Sequence, residues 1–178
     1  MQGRKSRGAS VRIRKSVLAF AALAAAPIFC ADRAAAASLT WDNNGAAPAN
    51  PQDGPGSWDT ALLNFWNGAT NVAWNNANND TAVFGAGGNG GAVTVSAGIT
   101  VGGLQLNSNS YSFTGGSFVT TGATQIGITA SVGTINTPIT GAGPITFNVG
   151  PTSTLNLTGT NTYAGGATVS GGETLSVT

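Results

Sequence analysis

An all-β fold, a right-handed parallel β-helix with a Trp/Asn-rich cap at its N-terminal end, is what three features of this sequence predict. First, beyond residue 91 apolar residues alternate in short pairs: Val93/Val95, Ile99/Val101, Leu104/Leu106, Tyr111/Phe113, Ile126/Ile128, Leu155/Leu157 and Leu175/Val177. Alternation with period two marks strands with one buried face. Second, Gly, Asn, Ser and Thr separate the pairs every few residues and supply turns. Third, the pairs recur. Leu155/Leu157 returns as Leu175/Val177, a shift of 20, Leu106 returns as Ile126, also 20, and Ile126 returns as Phe147, 21. A shift of that size fits one coil of a solenoid, each coil lying about 4.8 Å above the last. A β-sandwich is the alternative, because it too is built from regular short strands. Recurrence in position as well as type favours the solenoid.

Three segments follow from composition: 1–37, 38–91 and 92–178. The first carries Arg4, Lys5, Arg7, Arg12, Arg14 and Lys15, then an apolar run over 17–31, then Ala34 to Ala37. Basic, apolar and small-residue regions in that order make a secretory signal peptide. The run is interrupted by Pro27 and is short for a membrane span, which needs about 20 residues. The expected cut falls after Ala37, with Ala36 nearly as good. Cys30 follows the bulky Phe29, which argues against lipid attachment, and the lack of an Arg-Arg pair points to the general secretory route.

Processing would change the chemistry of the chain. All seven basic residues lie in the leader, so the remaining 141 residues hold no Lys, Arg, His or Cys, and a formal charge of −5. Nucleic-acid binding is excluded on this ground, since it depends on neutralising phosphates. A polybasic contact with anionic lipid is excluded for the same reason. No disulfide can staple the fold.

Residues 38–91 hold all four tryptophans, Trp41, Trp58, Trp66 and Trp74, together with dense Asn and a loop containing Pro48, Pro51 and Pro55. Two readings suit them. Large aromatics can close the open end of a solenoid, whose first coil otherwise exposes core and backbone edge. Alternatively the four rings stack on sugars and make a carbohydrate-binding module. The first reading is favoured. Gly87 to Gly91, "GGNGG", reads as a turn joining the cap to the solenoid. It lacks the Asp of a calcium-binding repeat and the Lys of a phosphate loop.

The last 24 residues, "LNLTGTNTYAGGATVSGGETLSVT", place Asn-Thr-Tyr-x-Gly-Gly between two alternating strands. This stretch resembles the autotransporter-associated β-strand repeat of bacterial autotransporter passengers. Leu155, Leu157, Gly159, Asn161, Thr162, Tyr163, Gly165, Gly166, Thr168, Gly171, Gly172, Thr174 and Leu175 carry the resemblance. Glu173 departs from the pattern by adding one residue, which suggests a bulge. Asn161 is read as tolerating left-handed geometry, bonding nearby backbone and stacking as a ladder in a solenoid, and Tyr163 as partly buried beside a corner.

The resemblance implies a secreted or surface-displayed passenger of a Gram-negative-type bacterium, structural or adhesive, with the repeat assisting passage and folding. Its partners would be host or surface glycans or proteins. It also implies an outer-membrane translocator barrel, whose segments of about ten alternating residues do not occur before Thr178, so the chain is expected to be a fragment. An enzyme is not expected. Ser and Thr lack a basic partner, Glu173 is the sole acid of the predicted solenoid, and the carboxylates Asp42, Asp53, Asp59 and Asp80 follow no catalytic motif. No cofactor or metal is expected.

Overall fold

The computed structural model of the protein describes residues 36–45 and 50–178. Every regular element among them is a strand. The expected signal peptide falls almost wholly outside the described residues.

The chain winds through three sheets in a fixed order. One coil runs through β5 (Thr81–Phe84), β6 (Ala92–Val95) and β7 (Ile99–Thr100). The next repeats the order as β8 (Gly103–Leu106), β9 (Tyr111–Gly115) and β10 (Phe118–Thr120). Then come β11 (Thr124–Ile128), β12 (Val132–Ile135) and β13 (Ile139–Gly141), followed by β14 (Ile145–Val149) and β15 (Thr154–Leu157), and by β16 (Ala167–Gly171) and β17 (Thr174–Val177). From β5 onward, neighbours within each sheet are one coil apart in sequence and parallel, which is a β-solenoid and rules out the sandwich.

The register explains the alternation. Ala82, Leu104, Ile126 and Phe147 stack in one column of the first sheet. Val93, Phe113, Ile135, Leu157 and Val177 stack in the second. Ile99, Phe118 and Ile139 stack in the third. Except for Val177, all are buried. Each such side chain contributes about 1.5–3 kcal/mol on leaving water. The expected recurrence of Leu155/Leu157 as Leu175/Val177, and of Ile126 as Phe147, is the observed pairing. That of Leu106 is corrected: it pairs with Ile128, and Leu104 with Ile126, a separation of 22. A two-residue slip keeps the same side chains inside, so periodicity alone cannot detect it.

The N-terminal strands belong to the same ladders. β1 (Ser38–Trp41) pairs in parallel with β5, and β2 (Gly56–Trp58) with β6. Beneath β1 the direction changes. β3 (Phe65–Trp66) lies antiparallel on β1, and β4 (Asn71–Val72) antiparallel on β3. This short hairpin covers the edge that the first coil would otherwise present to other chains. The third sheet is closed differently. The Asn76 amide donates to Gly98 O (3.0 Å) and accepts from Thr100 N–H (2.9 Å), so one side chain occupies the place of a missing strand beneath β7. Gly87 to Gly91 forms the turn between β5 and β6.

Candidate functional site

The tryptophans were the first candidates for ligand contact. Trp41, Trp58 and Trp74 are at most 1% exposed, and Trp66 is partly exposed. Alternation explains the difference: Trp41 follows Leu39 by two on the inward face of β1, whereas Trp66 adjoins the inward Phe65. Trp58 sits at the centre of the cluster, with ring centroids 4.9 Å from Trp74, 5.2 Å from Phe65 and 5.2 Å from Phe118. Trp41 stacks on Phe84 at 5.3 Å and meets Phe65 edge-on at 5.4 Å. Its indole N–H donates to Gly54 O (3.1 Å), and that of Trp74 to Thr100 O (3.0 Å). The alternative reading, in which these rings stack on sugars, is therefore corrected for Trp41, Trp58 and Trp74: their faces are occupied by other rings. Trp66 alone of the four keeps accessible surface.

The carboxylates are also committed to the fold. Asp42 is fully buried. Its Oδ1 accepts from the Gln52 and Asn44 N–H groups (3.2 and 3.4 Å) and its Oδ2 from the Asn71 amide (3.0 Å). Asp59 caps the turn after β2 by accepting from Ala61 and Leu62 N–H (2.8 and 2.7 Å). Asp80 accepts from Ala37 N–H (2.7 Å) and the Asn78 amide (3.3 Å). Nothing in these contacts resembles an acid–base pair poised over an open cleft. Among the described residues no group of three or more His, Cys, Asp or Glu could hold a metal.

Asp53 is the most heavily bonded of them. Its Oδ2 accepts from Gly87 N–H (3.1 Å), Gly88 N–H (2.9 Å) and the Ser108 hydroxyl (2.6 Å). Its Oδ1 accepts from the Tyr111 hydroxyl (2.7 Å), which in turn accepts from Gly54 N–H (3.2 Å). Burial pushes the Asp53 carboxyl up, but the bonds from Ser108, Gly88, Tyr111 and Ala86 outweigh it and hold it below the usual carboxylate range. Burial, with the adjoining carboxylate, pushes the Tyr111 phenol well above its ordinary value. A polar groove of about 250 Å³ opens beside this latch, lined by Asn50, Pro51, Gln52, Asp53 and Ala86 to Gly88. Tyr111 and Ser108 carry no motif, and their link to Asp53 spans 58 and 55 residues.

The motif residues divide between core and corner. Leu155 and Leu157 are buried, and Leu175 is partly buried. Asn161 does not use the left-handed geometry it could tolerate; among the described residues the non-glycine ones with positive φ are Asn79, Ser110 and Thr152. Asn161 Oδ1 instead accepts from Ile139 N–H (2.9 Å), while Thr162 and Ala164 N–H donate to Ile139 and Gly141 O (2.9 and 2.8 Å). The segment thus continues the third sheet above β13 with a side-chain amide replacing one backbone carbonyl. Tyr163 is half-buried, its ring 6.4 Å from Phe147. Gly159 and Gly165 lie against the backbone of the coil below, and Gly166 and Gly171 have φ of 81° and 106°. Thr168 pairs with Thr146, and Thr174 with Thr154. Glu173 and Gly172 occupy the exposed corner between β16 and β17, and the pairing of β17 with β15 runs without a bulge.

No family model matches the chain, and no solved structure matches it. Over 155 residues, 83% of this chain, it is 39% identical to "Adhesin BmaC autotransporter" of Brucella suis biovar 1 (strain 1330). The chain spans 4% of the length of that relative.

Proposed function

We propose that this chain, a relative of the autotransporter passengers, acts as a non-enzymatic β-solenoid segment displayed at the cell surface. It gives a passenger a stiff, capped shaft and offers the shaft's outer face for adhesion. One observation carries this reading: the polar side chains form outward columns. Ser112, Thr134, Asn156 and Ser176 are aligned across β9, β12, β15 and β17, none of them fully buried. The surface is almost without charge, because Asp42 and Asp80 are buried and residues 36–178 hold no cation. Partners are then held by hydrogen bonds and shape, which suits host or surface glycans and proteins.

The segment 1–37 carries the secretory leader and its cut site, and the mature chain is secreted or held at the outer-membrane surface of a Gram-negative-type bacterium. The segment 155–178 assists passage and folding, its glycine corners letting each coil stack on the one before. Export in this manner requires an outer-membrane translocator barrel.

The test immobilises the mature chain on beads and offers it host-cell glycans and matrix proteins across a salt series. Saturable binding that persists at high salt is expected. Binding lost on raising salt contradicts recognition by uncharged groups. The same panel separates a tryptophan-based carbohydrate site: a shift in tryptophan emission with one glycan class would support it, and silence is expected.

A further inference from the structure

Asp80 is 2% exposed, yet among the described residues there is no cationic side chain to face it. Residues 37–178 contain no Lys, Arg or His. A buried carboxylate without a counter-ion is costly even when hydrogen-bonded. Its shortest contact is to the chain's own backbone: Ala37 N lies 2.7 Å from Oδ1. The Ala37 carbonyl accepts from Thr81 N–H (2.8 Å), which extends the pairing of β1 on β5 by one residue below Ser38.

We propose that the leader is cut between Ala36 and Ala37, and that the freed α-ammonium of Ala37 becomes the counter-ion of Asp80. This rests on the secretory-leader reading of residues 1–37. In sequence two cuts satisfy the small-residue rule, after Ala37 with Ala35, which is preferred on sequence alone, or after Ala36 with Ala34. The fold separates them. A cut after Ala37 removes both the N–H that meets Asp80 and the C=O that meets Thr81. A cut after Ala36 keeps both and adds charge where the carboxylate lies. In the reaction the Ala36 C–Ala37 N bond breaks. Water supplies the hydroxyl of the new Ala36 carboxyl group and a hydrogen to the Ala37 amine. The amine takes a further proton from solvent at neutral pH, where an α-amino group is mostly protonated. One amide donor becomes three ammonium donors beside a buried carboxylate, a stronger, charge-assisted contact. The only cation of residues 37–178 is thereby made by processing itself.

N-terminal sequencing of the exported protein should begin at Ala37. A start at Ser38 overturns the proposal, and retention of residues 1–30 overturns the leader reading beneath it. A second measurement does not depend on export. The purified 37–178 chain is melted with its amine free and with it acetylated, in wild type and in Asp80→Asn. Acetylation should lower the melting temperature of wild type by about 2–4 °C, the shift of a single modest interaction in a chain of this size. In Asp80→Asn it should change nothing. Equal melting of free and acetylated wild type would overturn the ion pair.

Discussion

Asp53 ties three distant stretches together: its own loop, the turn at Gly87 and Gly88, and the corner holding Ser108 and Tyr111. An Asn there keeps one acceptor but turns the other into an amide donor, set either against the Gly87 and Gly88 N–H groups or against the Tyr111 hydroxyl, which already accepts from Gly54. Asp53→Asn should therefore cost about 1–3 kcal/mol at neutral pH. The pH dependence has a definite sign. The folded-state carboxyl sits below its ordinary value, so its stabilisation is present above the unfolded pKa and is lost as pH falls through the folded one. Denaturant melts from pH 7 down to about 2 should show wild type losing stability below about pH 4, and the variant losing less over that range. Equal acid sensitivity would mean that Asp53 is not the latch. This residue was illegible in the sequence, because its partners lie far away in the chain and no local pattern marks them. The tryptophans were legible in part. Spacing from Leu39 places Trp41 inside, and adjacency to Phe65 places Trp66 outside; a count of aromatics favoured the cap but left sugar contact open. Trp41 donates to Gly54, whereas the buried Trp58 indole N–H has no partner among the described residues. Trp41→Phe should thus lose more stability than Trp58→Phe, by about 1 kcal/mol for the hydrogen bond. Thermal melts of the two variants check the order.

Strands and corners divide the work at the next scale. Leu157 is buried in its column between Ile135 and Val177, while Thr158 is exposed and its hydroxyl bonds to Asn136. Leu157→Asp should cost several kcal/mol through an unpaired buried charge, and Thr158→Asp under about 1 kcal/mol. Equal losses in circular-dichroism melts would contradict the buried-face assignment. Corners are governed by close stacking of coils. A Cβ on Gly143 would stand 2.1 Å from Gly122 O, whereas one on Gly172 meets nothing within 4 Å. Gly143→Ala should cost about 1–3 kcal/mol, or more if the coil cannot shift, and Gly172→Ala under about 0.5 kcal/mol. Strand identity was legible from alternation, and the coil length from its recurrence. The register at Leu106 was not, since a shift of two leaves the inward set unchanged. Nor was the role of Asn161, whose amide meets Ile139 across a coil.

Across the whole molecule, two kinds of strand pairing coexist and are confined to different places. Among the described residues antiparallel contact occurs only at the capped end, where Trp41 faces Phe65 and Trp66 faces Asn71. Above it the described pairings are parallel, one coil apart. The composition made such an arrangement necessary. With no disulfide and almost no surface charge, stability rests on a continuous hydrogen-bonded ladder over a packed core, and a ladder needs its edge closed. Solution NMR reads this arrangement directly. Antiparallel strands bring paired Cα atoms to about 4.5 Å at alternate positions, giving strong Hα–Hα contacts that parallel strands lack. In the mature chain those contacts should appear among residues 40–72 alone. Gln125–Thr146 and Thr134–Asn156 should show the parallel pattern of Hα to amide contacts. Strong Hα–Hα contacts between strands beyond residue 92 would contradict the solenoid and restore the sandwich.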